Sequence, residues 1–369
     1  MGYALKLTLC LFSGMFLLTA LSMFPATAQA EPEVRPHVDV PNVQAESAIL
    51  MDVNSKRVLF EKNADEPKSI ASITKIMTAI LAIEYGNLKD TVTVSPHASR
   101  MEGSSIYLRP GEQVTLETLL YGLMLRSGND AAVAIAEHLA ETEANFAHLM
   151  NVKAWELGMS RTHFANPHGL DEEGHYSTAR DMAVLSAYAL KNPLFQQIVK
   201  TKTKRVSWPG EQWQRSWSNK NKMLHFYDGA DGVKTGFTRK SGRTLVSSAT
   251  RGSQQLVVVT LNDPDDWRDH MRLLDYGFSR YPARLLLKEG QSVPVPTQWP
   301  TTPRSLEVGR SLYYPLAEDE LDEIEATVVF SPQSRHRWTD GENGETVGYI
   351  RVTFREKPIA LMPVRVRDR

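Results

Sequence analysis

Residues 69–79, SIASITKIMTA, place a lysine inside an otherwise apolar segment. The apolar run continues to Ile83 and is too hydrophobic for a surface helix, so it predicts a helix buried in the core of the fold. Lys75 follows Ser72 by three residues at the start of this helix. Because a buried ammonium group is costly unless it is paired or used, Lys75 needs either a partner or a chemical task.

Length and composition indicate a folded protein without a strong net charge. The chain has 369 residues, of which 42% are hydrophobic, which suits one large domain with a smaller one or two medium-sized domains. Its 42 basic and 43 acidic residues give a formal net charge of −1. This balance offers no polybasic signature of nucleic-acid binding.

The first thirty residues are organised like an export signal. Lys6 precedes an apolar run that ends near Pro25, and Ala28 and Ala30 supply the small residues of a cleavage site. We predict cleavage after Ala30. The alternative is a retained N-terminal anchor helix, because the run is about long enough to span a bilayer. In both cases the rest of the chain is expected to be extracytoplasmic, in the periplasm, in the cell wall or secreted.

The only cysteine of the chain, Cys10, lies within this apolar run. A lipid-attachment cysteine would end the run after a small residue, whereas Cys10 follows Leu9 and lies mid-run. The mature chain is therefore predicted to contain no cysteine, which excludes disulfides, thiolate catalysis and cysteine metal sites.

The remaining chain divides into three parts by hydrophobic pattern. Residues 31–45 contain three prolines and predict an extended leader, residues 46–281 mix helix and strand patterns, and residues 282–369 hold short alternating runs that predict a small all-β domain. Within the middle part we predict a hairpin around Asn54-Ser55. The other elements predicted there are helices from Ser72 and over 115–124, 130–141, 179–191 and 265–281, and strands over 232–237, 243–250 and 255–262.

The spacing of Ser72 and Lys75 suggests that the lysine activates the serine. Residues three apart share one helix face, and a first-turn serine lies near free backbone N–H groups at the positive end of the helix dipole. A serine hydroxyl is a poor nucleophile until a base takes its proton. A desolvated lysine can be that base, because burial lowers its pKa. Alone, this pair is also compatible with a lysine that extends its amine to solvent.

Two further motifs make the catalytic interpretation more specific. Ser127-Gly128-Asn129 lies on a predicted turn between two buried helices, and Lys234-Thr235-Gly236 lies within a predicted strand. The lysine and threonine offer a cation and a hydroxyl to a carboxylate, and the glycine permits close backbone approach. Ser-x-x-Lys, Ser-x-Asn and Lys-Thr-Gly in this order are the motif set of serine-active penicillin-recognising enzymes.

With these motifs the chain resembles the D-alanyl-D-alanine carboxypeptidases, which are low-molecular-mass penicillin-binding proteins. The resemblance runs from Ala48 to Tyr281 and includes SITKIMTA, LRSGNDAAVAIAEHLA, NPHGL and DGVKTGFT. It implies a mixed α/β (α+β) domain of the β-lactamase and DD-peptidase type, in which helices flank a central antiparallel sheet. The β-rich domain after Pro282 resembles the second domain of this family.

The resemblance also implies a substrate and a role for each site residue. The substrate is a peptidoglycan stem peptide ending in D-Ala-D-Ala, β-lactams are inhibitors, and no cofactor, metal or nucleic acid is implied. Ser72 would attack the carbonyl between the two D-alanines. Lys75 would accept the proton of Ser72, Ser127 would relay a proton, and Asn129 would bind the substrate amide. Lys234 and Thr235, in the motif that ends at Gly236, would bind the terminal carboxylate. The backbone N–H groups of Ser72 and Phe237 would bind the oxyanion.

Alternative functions and sites are weaker on sequence grounds. A class A β-lactamase needs a glutamate for deacylation, and Glu172 or Glu173 could have this role. The neighbouring sequence NPHGL, however, resembles that of the carboxypeptidases. A non-catalytic β-lactam or wall-peptide sensor would usually carry several membrane helices.

Two groups of residues are predicted to be structural, and one family feature is missing. Three nearby histidines, at 163, 168 and 175, lack metal-binding helical spacing, and three tryptophans, at 208, 213 and 217, are expected in the core or at a cleft rim. The pattern of the C-terminal tail predicts a strand rather than the amphipathic membrane helix of many family members, so membrane contact through the tail is doubtful.

Overall fold

The structure is a computed structural model that describes residues 3–7, 39–208 and 210–368. The chain forms a larger unit, Val40–Ser279, and a smaller unit composed of Met1–Asp39 and Arg280–Arg369. The apolar run of the predicted export signal, its cleavage site and most of the predicted leader lie outside the described residues.

Strands and helices are numbered along the chain. The strands are β1 (Tyr3–Leu7), β2 (Ser47–Asp52), β3 (Val58–Lys62), β4 (Thr91–Thr93), β5 (Gln113–Thr115), β6 (Thr203–Ser207), β7 (Gln214–Ser218), β8 (Ala230–Thr238), β9 (Gly242–Arg251), β10 (Gln254–Leu261), β11 (Ala283–Leu287), β12 (Ser292–Val293), β13 (Arg304–Val308), β14 (Leu312–Pro315), β15 (Ile324–Phe330), β16 (Thr346–Phe354) and β17 (Lys357–Asp368). The α-helices are α1 (Lys75–Tyr85), α2 (Leu116–Tyr121), α3 (Asn129–Ala140), α4 (Glu143–Glu156), α5 (Ala179–Ala189), α6 (Pro193–Lys200), α7 (Met223–Phe226), α8 (Asp266–Arg280) and α9 (Ser334–Asp340). Shorter turns of 3-10 helix cover Ala71–Thr74, Ala98–Arg100 and Glu318–Glu323, and one π-helical turn covers Gly122–Arg126.

The larger unit is built on a five-stranded antiparallel sheet in the order β3-β2-β10-β9-β8. Ile49 and Val257 belong to the apolar cluster that this sheet shares with the helices. Leu50 and Leu256 contact α8 instead, where a Cβ on Gly277 would lie 2.7–2.8 Å from their side chains. Helices therefore cover both faces of the sheet, which confirms the predicted mixed α/β architecture.

Most predicted elements of the larger unit are present. The hairpin β2–β3, the strands β8 to β10 and the helices α1, α2, α3, α5 and α8 lie where the pattern predicts them, within a few residues. Helix α4 was not predicted because Val152 and Trp155 are exposed apolar residues that blur its hydrophobic face. Asp130 lies in the first turn of α3, and its carboxylate accepts hydrogen bonds from the backbone N–H groups of Ile106 and Leu108, both at 3.1 Å.

The smaller unit contains a six-stranded sheet in the order β1-β15-β16-β17-β13-β12, with β11 and β14 as a separate pair. Its core includes Leu306, Val328, Ile350 and Val364, all fully buried. The predicted β-rich domain and the strand-like tail are thus confirmed. The same unit also contains the short helix α9, which buries Trp338 against this core.

Within the described ranges, no helix is both long enough and apolar enough to cross a bilayer.

Candidate active site

Ser72 lies on a 3-10 turn that leads directly into α1. The turn is fixed by Ile70 and Ile73, which are both fully buried. Gly169, at φ +85°, packs so closely against the turn that a Cβ there would lie 2.0 Å from the carbonyl oxygen of Ala71. Glycine is required at this position on both grounds, and the loop that contains it holds the serine turn in place.

The Lys75 amine points at Ser72 and is held by two further contacts. Its Nζ lies 3.0 Å from Ser72 Oγ, 2.7 Å from Asn129 Oδ1 and 2.5 Å from the carbonyl oxygen of His168. The last two partners can only accept hydrogen bonds. A neutral lysine amine has two N–H groups and one lone pair. With both N–H groups donated to Asn129 and His168, the lone pair is left for the proton of the Ser72 hydroxyl.

Several causes hold the pKa of Lys75 well below its usual value. Burial is the largest, and the positive charges of Lys234 and Lys220 act in the same direction, while Asp130 opposes them. The side chain is completely inaccessible to solvent. This shift favours the uncharged amine that a general base requires.

Ser127 and Asn129 lie at the junction of the π-helical turn and α3. Ser127 has a left-handed backbone conformation, with φ 65°, and its hydroxyl makes no hydrogen bond within the described part of the chain. Asn129 bonds Lys75 through Oδ1 and donates from Nδ2 to the carbonyl oxygen of Glu102 at 2.6 Å. Asn129 thus holds the Lys75 amine in position beside Ser72.

The Lys-Thr-Gly motif lies on β8, the edge strand next to the serine turn. Lys234 is almost completely buried, and its Nζ donates to the carbonyl oxygen of Thr235 at 2.7 Å. Burial and the charge of Lys220 lower the pKa of Lys234 to about 7. A Cβ on Gly236 would lie 2.9 Å from the backbone nitrogen of Ser72. The glycine is therefore needed for the turn that carries Ser72 to pack closely against β8.

These three motifs meet at a cleft of about 500 Å³. Ser72, Ser127, Thr235, Gly236 and Phe237 all line it. The other lining residues are Ser104, Lys220, Arg243, Asp266 and Trp267. Lys75, Asn129 and Lys234 lie behind this surface as buried groups. The structure therefore brings all eight predicted site residues to one place, five at the surface and three beneath it.

Sequence reasoning missed Lys220 and the role of His168. Lys220 lines the cleft and donates from Nζ to Ser104 Oγ at 2.9 Å. It lies in a polar stretch, where nothing in the sequence distinguishes it from a solvated surface lysine. His168 acts through its backbone carbonyl, a contact that side-chain motifs do not report, and its ring lies 3.3 Å from Glu143.

The residues of the alternative interpretations have other contacts. Within the described ranges, no group of three or more histidine, cysteine or acidic residues is placed to hold a metal ion. Neither Glu172 nor Glu173 lines the cleft, and Glu172 accepts a hydrogen bond from Asn166 at 2.8 Å. Trp208 and Trp217 are buried as predicted, whereas Trp213 is 68% exposed.

Comparison with known proteins agrees with this geometry. Residues 34–265 match the model of the D-alanyl-D-alanine carboxypeptidase family. D-alanyl-D-alanine carboxypeptidase DacF of Bacillus subtilis is 39% identical over 68% of this chain and 66% of its own length. DacA of Escherichia coli K12 is 33% identical over 89% of this chain and 84% of its own length.

Solved structures extend the similarity to both units. Penicillin binding protein 5 from Haemophilus influenzae has a TM-score of 0.71 at 27% identity, and the match covers 89% of this chain and 98% of that one. The D-alanyl-D-alanine carboxypeptidase DacD from Francisella tularensis has a TM-score of 0.68 at 26% identity, covering 92% and 96%. Because the family model matches more than half of this chain, the chain belongs to the D-alanyl-D-alanine carboxypeptidase family and is a low-molecular-mass penicillin-binding protein.

Proposed function

We propose that this protein is a serine-type D-Ala-D-Ala carboxypeptidase that removes the terminal D-alanine from peptidoglycan stem peptides. The observation that carries the proposal is the arrangement around Lys75, whose Nζ lies 3.0 Å from Ser72 Oγ while Asn129 and His168 accept hydrogen bonds from it. Such a base can take the hydroxyl proton as Ser72 Oγ attacks the carbonyl carbon. Family membership supports the same reaction.

The remaining site residues suit the later steps. As the C–N bond breaks, Ser127 gives its hydroxyl proton to the leaving D-alanine amine and takes the proton held by Lys75 in return, and the acyl group stays on Ser72 as an ester. Water then attacks the ester, and its proton returns through Lys75, which restores the free serine. The backbone N–H groups of Ser72 and Phe237 stabilise the oxyanion, an effect typically worth about 3–4 kcal/mol.

Thr235 and the lysine behind it account for recognition of the terminal carboxylate. Both residues belong to β8; Thr235 lines the cleft, whereas the side chain of Lys234 is buried behind the cleft surface. At a pKa of about 7, Lys234 is partly protonated near neutral pH and can become fully so when an anion approaches. Its charge then acts through a thin layer of protein rather than from bulk water, which strengthens the interaction.

The protein is proposed to work outside the cytoplasmic membrane, where it would contribute to cell-wall formation and cell shape. The support is the sequence of residues 1–30, with its basic start, apolar run and Ala-x-Ala ending. N-terminal sequencing of the exported protein should find Glu31 first. A first residue upstream of the apolar run would instead show that the segment is retained as an anchor.

Release of D-alanine from a peptide ending in D-Ala-D-Ala tests the proposed reaction. The wild type should release one equivalent, and Ser72→Ala should release none. Hydrolysis of benzylpenicillin should be measured in parallel, because a β-lactamase would turn the drug over rapidly while leaving the peptide intact. That result would refute the carboxypeptidase assignment.

A further inference from the structure

A second groove, of about 700 Å³, begins at the edge of the cleft. One wall is the loop from Gly103 to Tyr107 and the other is the β6–β7 hairpin with the residues that follow it. Ser104 and Lys220 line both the groove and the cleft. A ligand lying in the cleft can therefore continue into the groove without a break.

Two exposed aromatic side chains line this groove from opposite walls. Tyr107 is 79% exposed and Trp213 is 68% exposed. Tyr107 also has φ 64°, a left-handed conformation that a bulky residue rarely adopts. Exposed rings of this kind offer flat apolar faces on which the aliphatic part of a ligand can pack.

Both walls are fixed to the protein, so the groove exists before a ligand binds. Asp130 accepts hydrogen bonds from the backbone of Ile106 and Leu108. Arg215 reaches across from the hairpin and donates from Nη1 to the carbonyl oxygen of Ile106 at 3.0 Å. Its guanidinium also stacks 3.7 Å from the centre of the buried Trp208 ring. A preformed groove avoids the entropy cost of ordering its walls on binding.

The groove carries positive charge that the protein does not neutralise. Arg215 is paired with Glu211 at 2.6 Å, but Arg126 and Lys220 form no ion pair with any described residue. Arg126 Nη1 donates only to the carbonyl oxygen of Ser218 at 3.1 Å. Unpaired cations beside exposed aromatic faces favour a ligand that combines a carboxylate with aliphatic carbon.

We propose that this groove binds the segment of the donor peptide that precedes D-Ala-D-Ala, and that Arg126 receives a free carboxylate carried by that segment. Tyr107 and Trp213 pack against its aliphatic carbons. This inference rests on the proposed function, because the peptide enters the groove from the cleft. It makes the groove the part of the protein that selects acidic donor peptides over neutral ones.

Three donors separate the contributions of contact and charge. The first is N-acetyl-D-Ala-D-Ala, which lacks a preceding segment, the second carries one additional N-terminal glutamyl residue, and the third carries glutaminyl in its place, each N-acetylated. In the wild type, kcat/KM should be about two- to fivefold higher for the glutamyl than for the glutaminyl donor, the range expected for a partly exposed charge contact. The glutaminyl donor should in turn exceed the unextended one.

Variants assign these gains to residues. Arg126→Gln should make the glutamyl and glutaminyl donors equal. Trp213→Ala should remove most of the gain of both extended donors while leaving the unextended donor within about twofold of wild type. Trp155→Ala is the matched control, because Trp155 is 81% exposed on α4 and lines neither the groove nor the cleft. It should change none of the three values.

Two results would overturn the inference. One is a glutamyl preference that survives Arg126→Gln, and the other is a loss in Trp213→Ala that is equal for all three donors. If the wild type releases D-alanine from no donor, the proposed function fails separately, and calorimetry on Ser72→Ala then decides the groove. The glutamyl peptide should bind more tightly than the glutaminyl peptide there, and equal affinities would refute the groove as an acidic-peptide site.

Discussion

The two units of this chain treat buried charge in opposite ways. In the larger unit, Lys75 and Lys234 are both inaccessible to solvent, and neither forms an ion pair with a described residue. In the smaller unit, Glu320 and Ser334 are the only buried polar residues among those described. Its charges pair at the surface, as Arg284 does with Glu318 at 2.8 Å.

This difference indicates that the larger unit retains buried lysines that lower its folding stability and that are used in the reaction. An unpaired buried ammonium destabilises a fold, and a well-packed apolar residue of the same volume would usually be more stable. The larger unit keeps two such groups at the cleft, whereas the smaller unit has an almost purely apolar core. We infer that the larger unit carries the reaction and that the smaller unit has no part in the chemical step.

The largest expected effect is the loss of the base. Lys75→Arg keeps a long cationic side chain, but guanidinium stays protonated at any usable pH and cannot accept the Ser72 proton. The rate of acylation by a penicillin should fall by about 10²–10⁴-fold, measured by stopped-flow or quenched labelling. An arginine variant that acylates at the wild-type rate would show that another group is the base. Circular dichroism should confirm that the variant is folded.

A change in the core of the smaller unit should have the opposite profile. Ile350 is fully buried on β16, and Ile350→Ala should lower the free energy of unfolding of that unit by about 2–5 kcal/mol. Ile350→Val, which removes one methylene, should cost about 0.5–1.5 kcal/mol. Acylation of Ser72 by penicillin should stay within twofold of wild type in both. A parallel fall in acylation rate would mean that the units are not functionally separate.

The buried Lys234 can be tested through the substrate carboxylate. Amidation of the donor's C-terminus should lower kcat/KM about ten- to a hundredfold in the wild type, because a charge-assisted contact is lost. In Lys234→Ala the same amidation should matter much less. Lys222→Ala, an exposed lysine outside the cleft, is the control. If the loss persists in Lys234→Ala but disappears in Lys220→Ala, the carboxylate is bound by Lys220 instead.

The smallest expected effect is on the pH dependence of stability. The pKa of Lys234 is about 7 in the folded protein and near 10.5 when unfolded, so between these values the unfolded chain binds more protons and stability rises with pH. Lys234→Met removes this contribution. Its stability advantage over the wild type should shrink by about 2 kcal/mol from pH 6.5 to 8.5 in urea unfolding. An advantage independent of pH would show that Lys234 is charged throughout this range.

The sequence was most informative where function depends on short motifs. Ser72 and Lys75 are one turn apart, so their contact follows from local geometry, and the strand character of residues 232–237 placed the third motif correctly. The apolar segment after Ser72 also predicted its own burial. These inferences need only residues that are neighbours along the chain.

The rest depends on contacts between distant segments. Lys220 meets Ser104 across 116 positions, and Arg215 meets Ile106 across 109. No periodicity reports such pairs, so both the second cation of the cleft and the groove beside it were missed. The hydrogen bonds that Asp130 accepts were not predicted for the same reason, since its backbone partners lie more than twenty residues away. Tertiary contacts override local preference at these positions.

Covalent labelling of Ser72 is the most direct test of the central claim that this serine is the nucleophile of a penicillin-recognising cleft. The protein should be incubated with benzylpenicillin, digested and analysed by mass spectrometry. We predict that the mass of one penicilloyl group is added to the peptide containing Ser72 and that Ser72→Ala is not labelled. An adduct on a different peptide, or labelling that persists in Ser72→Ala, would contradict the account.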